Sequence, residues 1–213
     1  MSPRRSAEGA GDAAPARRAA ILAGGLSRRM ADHDGSGSTP RSKASLPLAG
    51  RPLAAHPIAT ARLAGLAPAV VAKPDTPLPD LGCPVIDEPA TPRHPLAGVV
   101  AALELYEEPI VVLACDLPDL PPELLSELAH RRARFAMPVH PRPQPLVARY
   151  TPGLLPRLRV ALAAEEPLVG VAESLGGDGL RAAELRGFGD PEVMFANVNT
   201  PEDLRRAEAR LAG

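Results

Sequence analysis

The run PIVVLAC at residues 109–115 restricts what this chain can fold into more than any other segment. It contains no charged side chain, and three β-branched residues follow one another within it. A strand that is apolar on both faces is covered on both, as in a parallel sheet with helices packed on either side. We therefore expect a central sheet enclosed by helices.

Strand-like and helix-like segments alternate along the rest of the chain. We predict strands at 19–23, 69–72, 83–86, 109–115, 135–139 and 145–149, and helices at 53–66, 96–106, 121–134 and 152–164. The run TPED at 200–203 predicts the start of a last helix, with an N-cap hydroxyl, a proline at the first position and an acid at the third. This alternation is typical of an α/β fold with a mostly parallel central sheet between helical layers.

Composition limits the class of protein further. The chain has 213 residues, 45% of them hydrophobic, and a net charge of −1. The near-neutral charge argues against a general nucleic-acid binder, and no apolar run approaches the roughly 20 residues that span a bilayer. The spacing of Cys83 and Cys115 is not typical of metal or redox sites, so we expect buried free thiols in a reducing cytoplasm. We predict a disordered tail at 1–18 and one domain at 19–213.

Ligands bind at the carboxyl ends of the strands in open α/β sheets, and polar clusters follow three predicted strands. The first cluster is GGLSRR at 24–29. Glycines allow backbone N–H groups to approach an anion closely, and arginines supply forked donors for phosphate oxygens. The glycine spacing differs from the Walker loop and from G-x-G-x-x-G. A tight turn with solvated arginines is the alternative, which the glycines alone favour.

Asp116 directly follows the apolar run 109–115. A carboxylate at that strand end lies in the ligand crevice, where it can hold Mg²⁺. The alternative is an N-cap for the helix that begins near 121. Because Asp119 is the nearer cap, a metal role is the better interpretation of Asp116.

Asn197 and Asn199 alternate in the segment FANVN. In a short strand, alternation places both amides on one side, where they could orient phosphates or a metal-bound water. A pair of turn-forming asparagines is the alternative. Lys43 lies in a polar loop, where a lysine is usually solvated.

Taken together, these blocks resemble the nucleotidyltransferases that act on the molybdenum cofactor. That family opens with L-A-G-G-x-S-x-R-M-G, a lysine and L-P-L-x-G-x-P-L, and this chain has LAGGLSRRM at 22–30, Lys43 and LPLAGRPL at 46–53. PLAG at 95–98, CDLP at 115–118 and FANVNTPEDL at 195–204 are similar to the family's G-P-L-A-G, C-D-x-P and F-x-N-x-N-T-P-E-D-L. The resemblance implies a Rossmann-like, three-layer nucleotidyltransferase fold. It also implies a reaction in which a nucleoside triphosphate and a pterin phosphate give a pterin dinucleotide and pyrophosphate.

The resemblance implies roles for individual residues as well. Contacts to the nucleotide fall on Leu22, Ala23, Gly24, Gly25 and Ser27, phosphate contacts on Arg29 and Lys43, base recognition on Asp87, Mg²⁺ binding on Asp116, and contacts near the cofactor phosphate on Asn197 and Asn199. Of these, Arg29, Lys43 and Asp116 are the expected catalytic residues. Lys73 matches a nucleotide contact only weakly.

The first turn reads L-A-G-G, as in the family's GTP users, whereas its CTP users more often have T-A-A-G. A carboxylate such as Asp87 can accept from N1 and N2 of guanine together, and cytosine offers only its N4 amino group. The implied partners are thus GTP, a molybdopterin-type phosphate acceptor and, transiently, the proteins that supply or receive the cofactor.

Three departures from the family pattern leave alternatives open. A segment at 31–42 separates Met30 from Lys43 and is predicted to be a flexible insertion, Ser42 replaces an aspartate, and His94 replaces the first glycine of G-P-L-A-G. The hypotheses are a GTP-using guanylyltransferase, a related transferase that uses CTP or another phosphorylated acceptor, and a non-catalytic nucleotide-binding homologue.

Overall fold

The computed structural model of the protein describes residues 13–23 and 42–212. Its strands are β1 (Arg18–Leu22), β2 (Pro47–Leu48), β3 (Arg51–Pro52), β4 (Ala67–Ala72), β5 (Val85–Asp87), β6 (Ile110–Ala114), β7 (Phe135–Val139), β8 (Val147–Tyr150) and β9 (Asp178–Arg181). Its α-helices are α1 (Ala55–Leu63), α2 (Pro95–Tyr106), α3 (Pro122–His130), α4 (Leu155–Ala163), α5 (Leu168–Ser174), α6 (Ala182–Leu185), α7 (Pro191–Met194) and α8 (Pro201–Leu211). Short 3₁₀ turns occupy Lys43–Ser45 and Pro152–Leu154.

Seven strands form the central sheet in the order β5-β4-β1-β6-β8-β7-β9. β1 pairs in parallel with β4 and β6, β4 with β5, and β7 with β9. β8 runs antiparallel to both β6 and β7, and within the described seven-stranded sheet it is the strand of opposite direction. The predicted α/β fold with a mostly parallel sheet is confirmed.

Residues of each central strand alternate between two apolar cores, one on each face of the sheet. In β1, Ala19 and Ile21 enter one core and Ala20 enters the other. Helices α1 and α3 cover the first face, and α2, α4 and α5 cover the second. All five residues of β6 are buried, as expected for the run at 109–115.

A third, smaller apolar cluster lies beside the sheet. It contains Leu46, Leu48, Leu53, Val198 and Ala207. The antiparallel β2–β3 hairpin contributes to it from one side and α8 from the other. This cluster packs the segment that follows Lys43 against the segment that carries Asn199.

The described fold begins before Ala19. The Ala16 N–H donates to the Ala129 carbonyl at 2.8 Å, and the fully buried Arg149 guanidinium donates to the carbonyls of Ala14 (2.6 Å) and Ala129 (3.0 Å). Part of the predicted tail therefore packs on the domain, and residues 1–12 lie outside the described residues. None of the described helices is long and apolar enough to cross a bilayer.

Candidate functional site

The carboxyl ends of β1, β4, β5 and β6 surround a cavity of about 380 Å³. It is lined by Leu22, Lys43, Lys73, Glu88, Arg93, His94, Pro95, Ala114, Cys115, Asp116 and Leu146. This is the edge at which open parallel sheets bind ligands. Lysine, arginine and carboxylate side chains lie here beside apolar walls, an arrangement suited to a ligand that has both a phosphate and an aromatic part.

Lys43, Asp116, Asn197 and Asn199 form one hydrogen-bonded network at this edge. Lys43 Nζ donates to Asp116 Oδ2 and, at 2.6 Å, to Asn199 Oδ1. Asn197 Nδ2 donates to the same Asp116 oxygen at 3.3 Å. Three distant segments that the sequence singled out thus meet at one point.

The asparagines reach this network from an extended loop, so the strand predicted around them is wrong. Residues 196–199 have no sheet partner among the described residues. Instead, the Val198 N–H donates to the Asp116 carbonyl at 3.0 Å, and the Val198 side chain is buried in the small apolar cluster. These contacts place both amides beside Asp116 without a β-ladder.

Lys43 lies between buried, hydrogen-bonded neighbours. Ser42 is fully buried, and its hydroxyl donates to the Pro77 carbonyl at 2.7 Å. The Ala44 carbonyl accepts from the Ala54 N–H at 3.1 Å. The insertion predicted at 31–42 therefore does not extend flexibly to Ser42, and residues 31–41 lie outside the described residues.

Asn199 is positioned by the start of α8. Asp203 Oδ2 accepts from the backbone N–H groups of Asn199 and Thr200 at 3.1 and 2.9 Å, while the Thr200 hydroxyl accepts from the Asp203 N–H at 3.1 Å. Burial raises the pKa of Asp203, but hydrogen bonds from Thr200 and from these backbone groups outweigh it and hold the pKa below its usual value. The predicted capping pattern at 200–203 is confirmed.

Asp119 fixes the other end of the same helix. It accepts from Arg210 Nη2 at 2.5 Å and from Nε at 3.1 Å. Among the described residues no side chain caps α3, which begins after Pro121. The prediction that Asp119 caps that helix is therefore wrong, and the aspartate orients α8 instead.

A buried ion pair lines the opposite wall of the cavity. Lys73 follows β4 and Glu88 follows β5, with side chains only 3% and 8% exposed. Lys73 Nζ lies 3.2 Å from Glu88 Oε1 and donates to the Pro89 carbonyl at 2.6 Å. The described residues that line the cavity include Glu88, while Asp87 is exposed.

Alternation along β5 could have identified Glu88. Ile86 and Glu88 are buried and Asp87 is exposed, as the two-residue period of a strand requires. The core position of Ile86 therefore places Glu88, and not Asp87, on the enclosed side. The family resemblance indicated Asp87, whereas the carboxylate that lines the cavity is its neighbour Glu88.

Gly98 in α2 allows Glu88 to approach the helix closely. A Cβ atom at this position would lie 2.7 Å from Glu88 Oε2 and 2.9 Å from Leu22 Cδ2. Such distances exclude any larger residue unless both neighbours move. The lack of space for a Cβ atom at this position thus explains the glycine of the PLAG motif.

His94 begins α2 as its N-cap residue. Its Nδ1 atom accepts from the Leu96 N–H at 3.2 Å, while the ring lines the cavity. The histidine therefore supplies a side-chain cap where the family pattern has glycine. Arg93 lies next to it at the cavity and contacts Asp75 at 3.5 Å.

Cys115 lines the cavity but is not suited to nucleophilic chemistry. Burial, reinforced by the nearby Asp116, raises the pKa of its thiol to about 12. The thiolate, which is the nucleophile, is then scarce at neutral pH. The prediction of buried free thiols is confirmed for Cys115. Cys83 is also a free thiol, but it is only half-buried.

The oxygen atoms around Asp116 fit a magnesium ion. Mg²⁺ prefers oxygen ligands and is commonly held by one or two carboxylates together with substrate phosphates. Asp116 supplies a carboxylate and Asn199 an amide oxygen, both bonded to Lys43. The described residues contain no cluster of three or more His, Cys, Asp or Glu side chains that could hold a metal ion.

The remaining predicted residues divide into two groups. Leu22 lines the cavity at the end of β1, and Ala23 is buried next to it with its N–H bonded to the Val71 carbonyl at 2.8 Å. The predicted contacts at Gly24, Gly25, Ser27 and Arg29 lie outside the described residues. Their roles stay predictions.

The pattern that describes MobA-like NTP transferase domains matches residues 19–177, well over half of the chain. The protein belongs to the MobA-like NTP transferase domain family. Molybdenum cofactor guanylyltransferase of Rhodobacter capsulatus is 37% identical over 206 residues, which cover 90% of this chain and 94% of that relative. A probable molybdenum cofactor guanylyltransferase of Mycobacterium avium is 31% identical, covering 89% of this chain and 94% of its own length.

One solved structure agrees with this membership, and a second shares the fold. Molybdopterin-guanine dinucleotide biosynthesis protein A of Archaeoglobus fulgidus superposes with a TM-score of 0.73 at 25% identity, covering 92% of this chain and 98% of its own. The 2-C-methyl-D-erythritol 4-phosphate cytidylyltransferase of Thermus thermophilus gives a TM-score of 0.63 at 20% identity, covering 91% and 98%. The latter likeness concerns the fold alone.

Proposed function

We propose that this protein transfers GMP from GTP to the phosphate of the molybdenum cofactor, forming a guanine dinucleotide and releasing pyrophosphate. The observation that carries the proposal is the convergence of Lys43, Asp116 and Asn199 at the carboxyl edge of the sheet. Relatives that cover nearly the whole chain are named molybdenum cofactor guanylyltransferases, which supports the choice of nucleotide and acceptor.

In this reaction an acceptor phosphate oxygen attacks the α-phosphorus of GTP in line, and pyrophosphate leaves. Catalysis then depends on positioning and charge neutralisation, since no side chain forms a bond to phosphorus. The Lys43 ammonium would offset negative charge on the phosphates, while Asn199 fixes the direction of that ammonium. The protonated Cys115 thiol is consistent with direct transfer.

Magnesium is part of this proposal. Asp116, with the amide oxygen of Asn199 beside it, would hold the ion at the phosphates. A bound Mg²⁺ would supply positive charge that stabilises the negative charge of the transferred and leaving groups. The Lys43 ammonium, which lies beside both oxygens, would add a second positive charge at the same edge of the sheet.

Glu88 is the carboxylate that we assign to guanine recognition in place of Asp87. It lines the cavity on the side of β4 and β5, away from Asp116. A carboxylate accepts from N1–H and N2–H of guanine together, and cytosine lacks this pair of donors.

The free thiols Cys83 and Cys115 suit a cytoplasmic location, which we also propose. Transient contact with the proteins that supply or receive the cofactor stays a prediction.

Product analysis tests this function. The protein is incubated with Mg²⁺, molybdenum cofactor and either GTP or CTP, and pyrophosphate and the dinucleotide are quantified by mass spectrometry. We expect a guanine dinucleotide in preference to a cytosine dinucleotide, and loss of product in Lys43→Met. The matched control is Arg159→Met, which removes an exposed cation that contacts Glu104. A cytosine product favours the CTP-using alternative, and bound nucleotide without pyrophosphate release favours the non-catalytic one.

A further inference from the structure

Lys73 lines the cavity, but the N–H groups of its ammonium face acceptors of the protein itself. Its ammonium has three N–H donors, and its nitrogen lies 2.6 Å from the Pro89 carbonyl, 3.2 Å from Glu88 Oε1 and 3.5 Å from the Pro92 carbonyl. Its side chain is only 3% exposed. These three acceptors account for the donors, so Lys73 is poorly placed to be a direct phosphate ligand.

The acceptors of Lys73 all belong to the segment 88–92 that follows β5. The backbone joins the same two strand ends, because the Glu88 N–H donates to the Ala72 carbonyl at 2.9 Å. Lys73 therefore fixes this segment against the end of β4. The segment leads directly to Arg93 and His94, which also line the cavity.

The Glu88 carboxylate is consequently fixed on two sides. Oε1 faces the Lys73 ammonium, and Oε2 lies beside Gly98 in the first turns of α2. A carboxylate has about four acceptor positions on its two oxygens, so the contact with Lys73 leaves acceptors for a ligand. What the contact removes is rotational freedom of the carboxylate.

We propose that Lys73 is the positioning residue for guanine recognition, and that it acts by holding Glu88 in the orientation that accepts from the base. The inference rests on the proposed function, because it takes guanine as the base. Lys73 contributes to the choice between bases, whereas Lys43 and Arg93 contribute charge that does not depend on the base.

Inosine triphosphate separates these roles, because it is GTP without the N2 amino group. Affinities for GTP and ITP are measured by calorimetry with Mg²⁺ on the full chain, and their ratio is compared between variants. In the wild type we expect GTP to bind about tenfold or more tightly than ITP, the effect of one well-placed pair of base contacts. Glu88→Gln and Lys73→Met should both reduce this ratio to about threefold or less, a loss of most of that discrimination.

Arg93→Met is the matched control, because it removes a cation from the same cavity that does not contact Glu88. It should weaken GTP and ITP by the same factor and leave the ratio unchanged. Lys73→Gln keeps an amide donor for the Pro89 carbonyl and replaces Lys73→Met if circular dichroism shows that the latter is unfolded. We expect the ratio to fall in Lys73→Gln as well.

Two results overturn the inference, and they are distinguishable. If the wild-type protein binds GTP and ITP equally, the proposed recognition of guanine by Glu88 is wrong, and the inference about Lys73 fails with it. Wild-type discrimination that persists in folded Lys73→Met or Lys73→Gln, while Glu88→Gln loses it, overturns the role of Lys73 alone.

Discussion

Lys43 donates a 2.6 Å hydrogen bond to Asn199, a residue 156 positions further along the chain. The bond is possible because the β2–β3 hairpin and α8 share an apolar cluster, and because the capping box of α8 fixes the backbone of Asn199. The proposed phosphate end of the site therefore depends on structure at both ends of the domain.

Asp203→Ala should loosen this arrangement. It removes the acceptor for the N–H groups of Asn199 and Thr200, so we expect the free energy of unfolding to fall by about 1 kcal/mol. We also expect the affinity for GTP to fall. Urea denaturation and calorimetry at pH 7 measure the two effects. The control is Glu202→Ala in the same turn, whose carboxylate contacts the exposed Arg206, and it should change stability by less than about 0.5 kcal/mol.

The effect of Asp203 should also depend on pH. Although burial raises the pKa of Asp203, hydrogen bonds hold it below the ordinary value for an aspartate in the folded state, so its stabilising effect is present at neutral pH and is lost as the pH falls through that lowered pKa. The stability difference between wild type and Asp203→Asn should therefore shrink in denaturation curves recorded toward pH 3. A difference that grows on acidification would contradict this assignment.

Asp116→Asn should remove the effect of magnesium on nucleotide binding. The amide is nearly isosteric but lacks the charge that attracts the ion. Calorimetric titration with GTP, with and without Mg²⁺, should show metal-enhanced affinity in the wild type and little enhancement in the variant. Asp178→Asn, at a surface ion pair with Arg131, serves as the matched control and should keep the enhancement. An undiminished magnesium effect in Asp116→Asn would place the ion elsewhere.

Gly98→Ala should impair the part of the cavity that we propose binds the base. Alanine is favoured over glycine in a helix by about 1 kcal/mol, but its Cβ here would lie 2.7 Å from Glu88 Oε2. We expect weaker GTP binding and no gain in stability. Gly170→Ala in α5 is the control, because a Cβ there meets no described atom within 4 Å, and it should stabilise by about 0.5–1 kcal/mol. Equal stabilisation by both substitutions would contradict the steric role of Gly98.

Cys115 should resist alkylation in the folded protein. Burial raises the pKa of its thiol to about 12, so the reactive thiolate is scarce at pH 8. Timed labelling with iodoacetamide and peptide mass spectrometry should show Cys83 modified first and Cys115 modified only after denaturation. Rapid labelling of Cys115, or a GMP adduct on it after incubation with GTP, would overturn direct transfer.

Arg149→Met should destabilise the domain strongly. The fully buried guanidinium bonds to backbone carbonyls of Ala14, Ala129 and Ala133, which the variant leaves without these donors. We expect a loss of about 3 kcal/mol or more in urea denaturation. Arg159→Met, at an exposed ion pair, should cost less than about 1 kcal/mol. A loss in Arg149→Met as small as that expected for Arg159→Met would contradict a stabilising role of the buried guanidinium.

The sequence predicted those parts of the fold whose signals are local. β6 was evident from its uninterrupted apolar run, and α8 from its capping pattern. β9 escaped prediction because DGLR contains residues that are poor strand formers, and its place depends on pairing with β7. The burial of Arg149 was also invisible, since its acceptors are carbonyls distributed over distant segments.

The site shows the same limit. Lys43, Asp116 and the two asparagines were found through motifs, although the loop that carries the asparagines is not a strand. The family resemblance indicated the neighbouring Asp87, and Glu88 was not identified from the sequence as a cavity-lining residue. The register of β5 and the contact with Lys73 distinguish the enclosed carboxylate from the exposed one in the structure.

The most direct test of guanine-nucleotide recognition is calorimetric titration of the wild-type chain with GTP, CTP, ATP and UTP, each with Mg²⁺. We expect GTP to bind at least about tenfold more tightly than the other three, because a carboxylate at the base end matches the N1 and N2 donors of guanine. Preferential binding of CTP, or equal binding of all four nucleotides, would contradict the account.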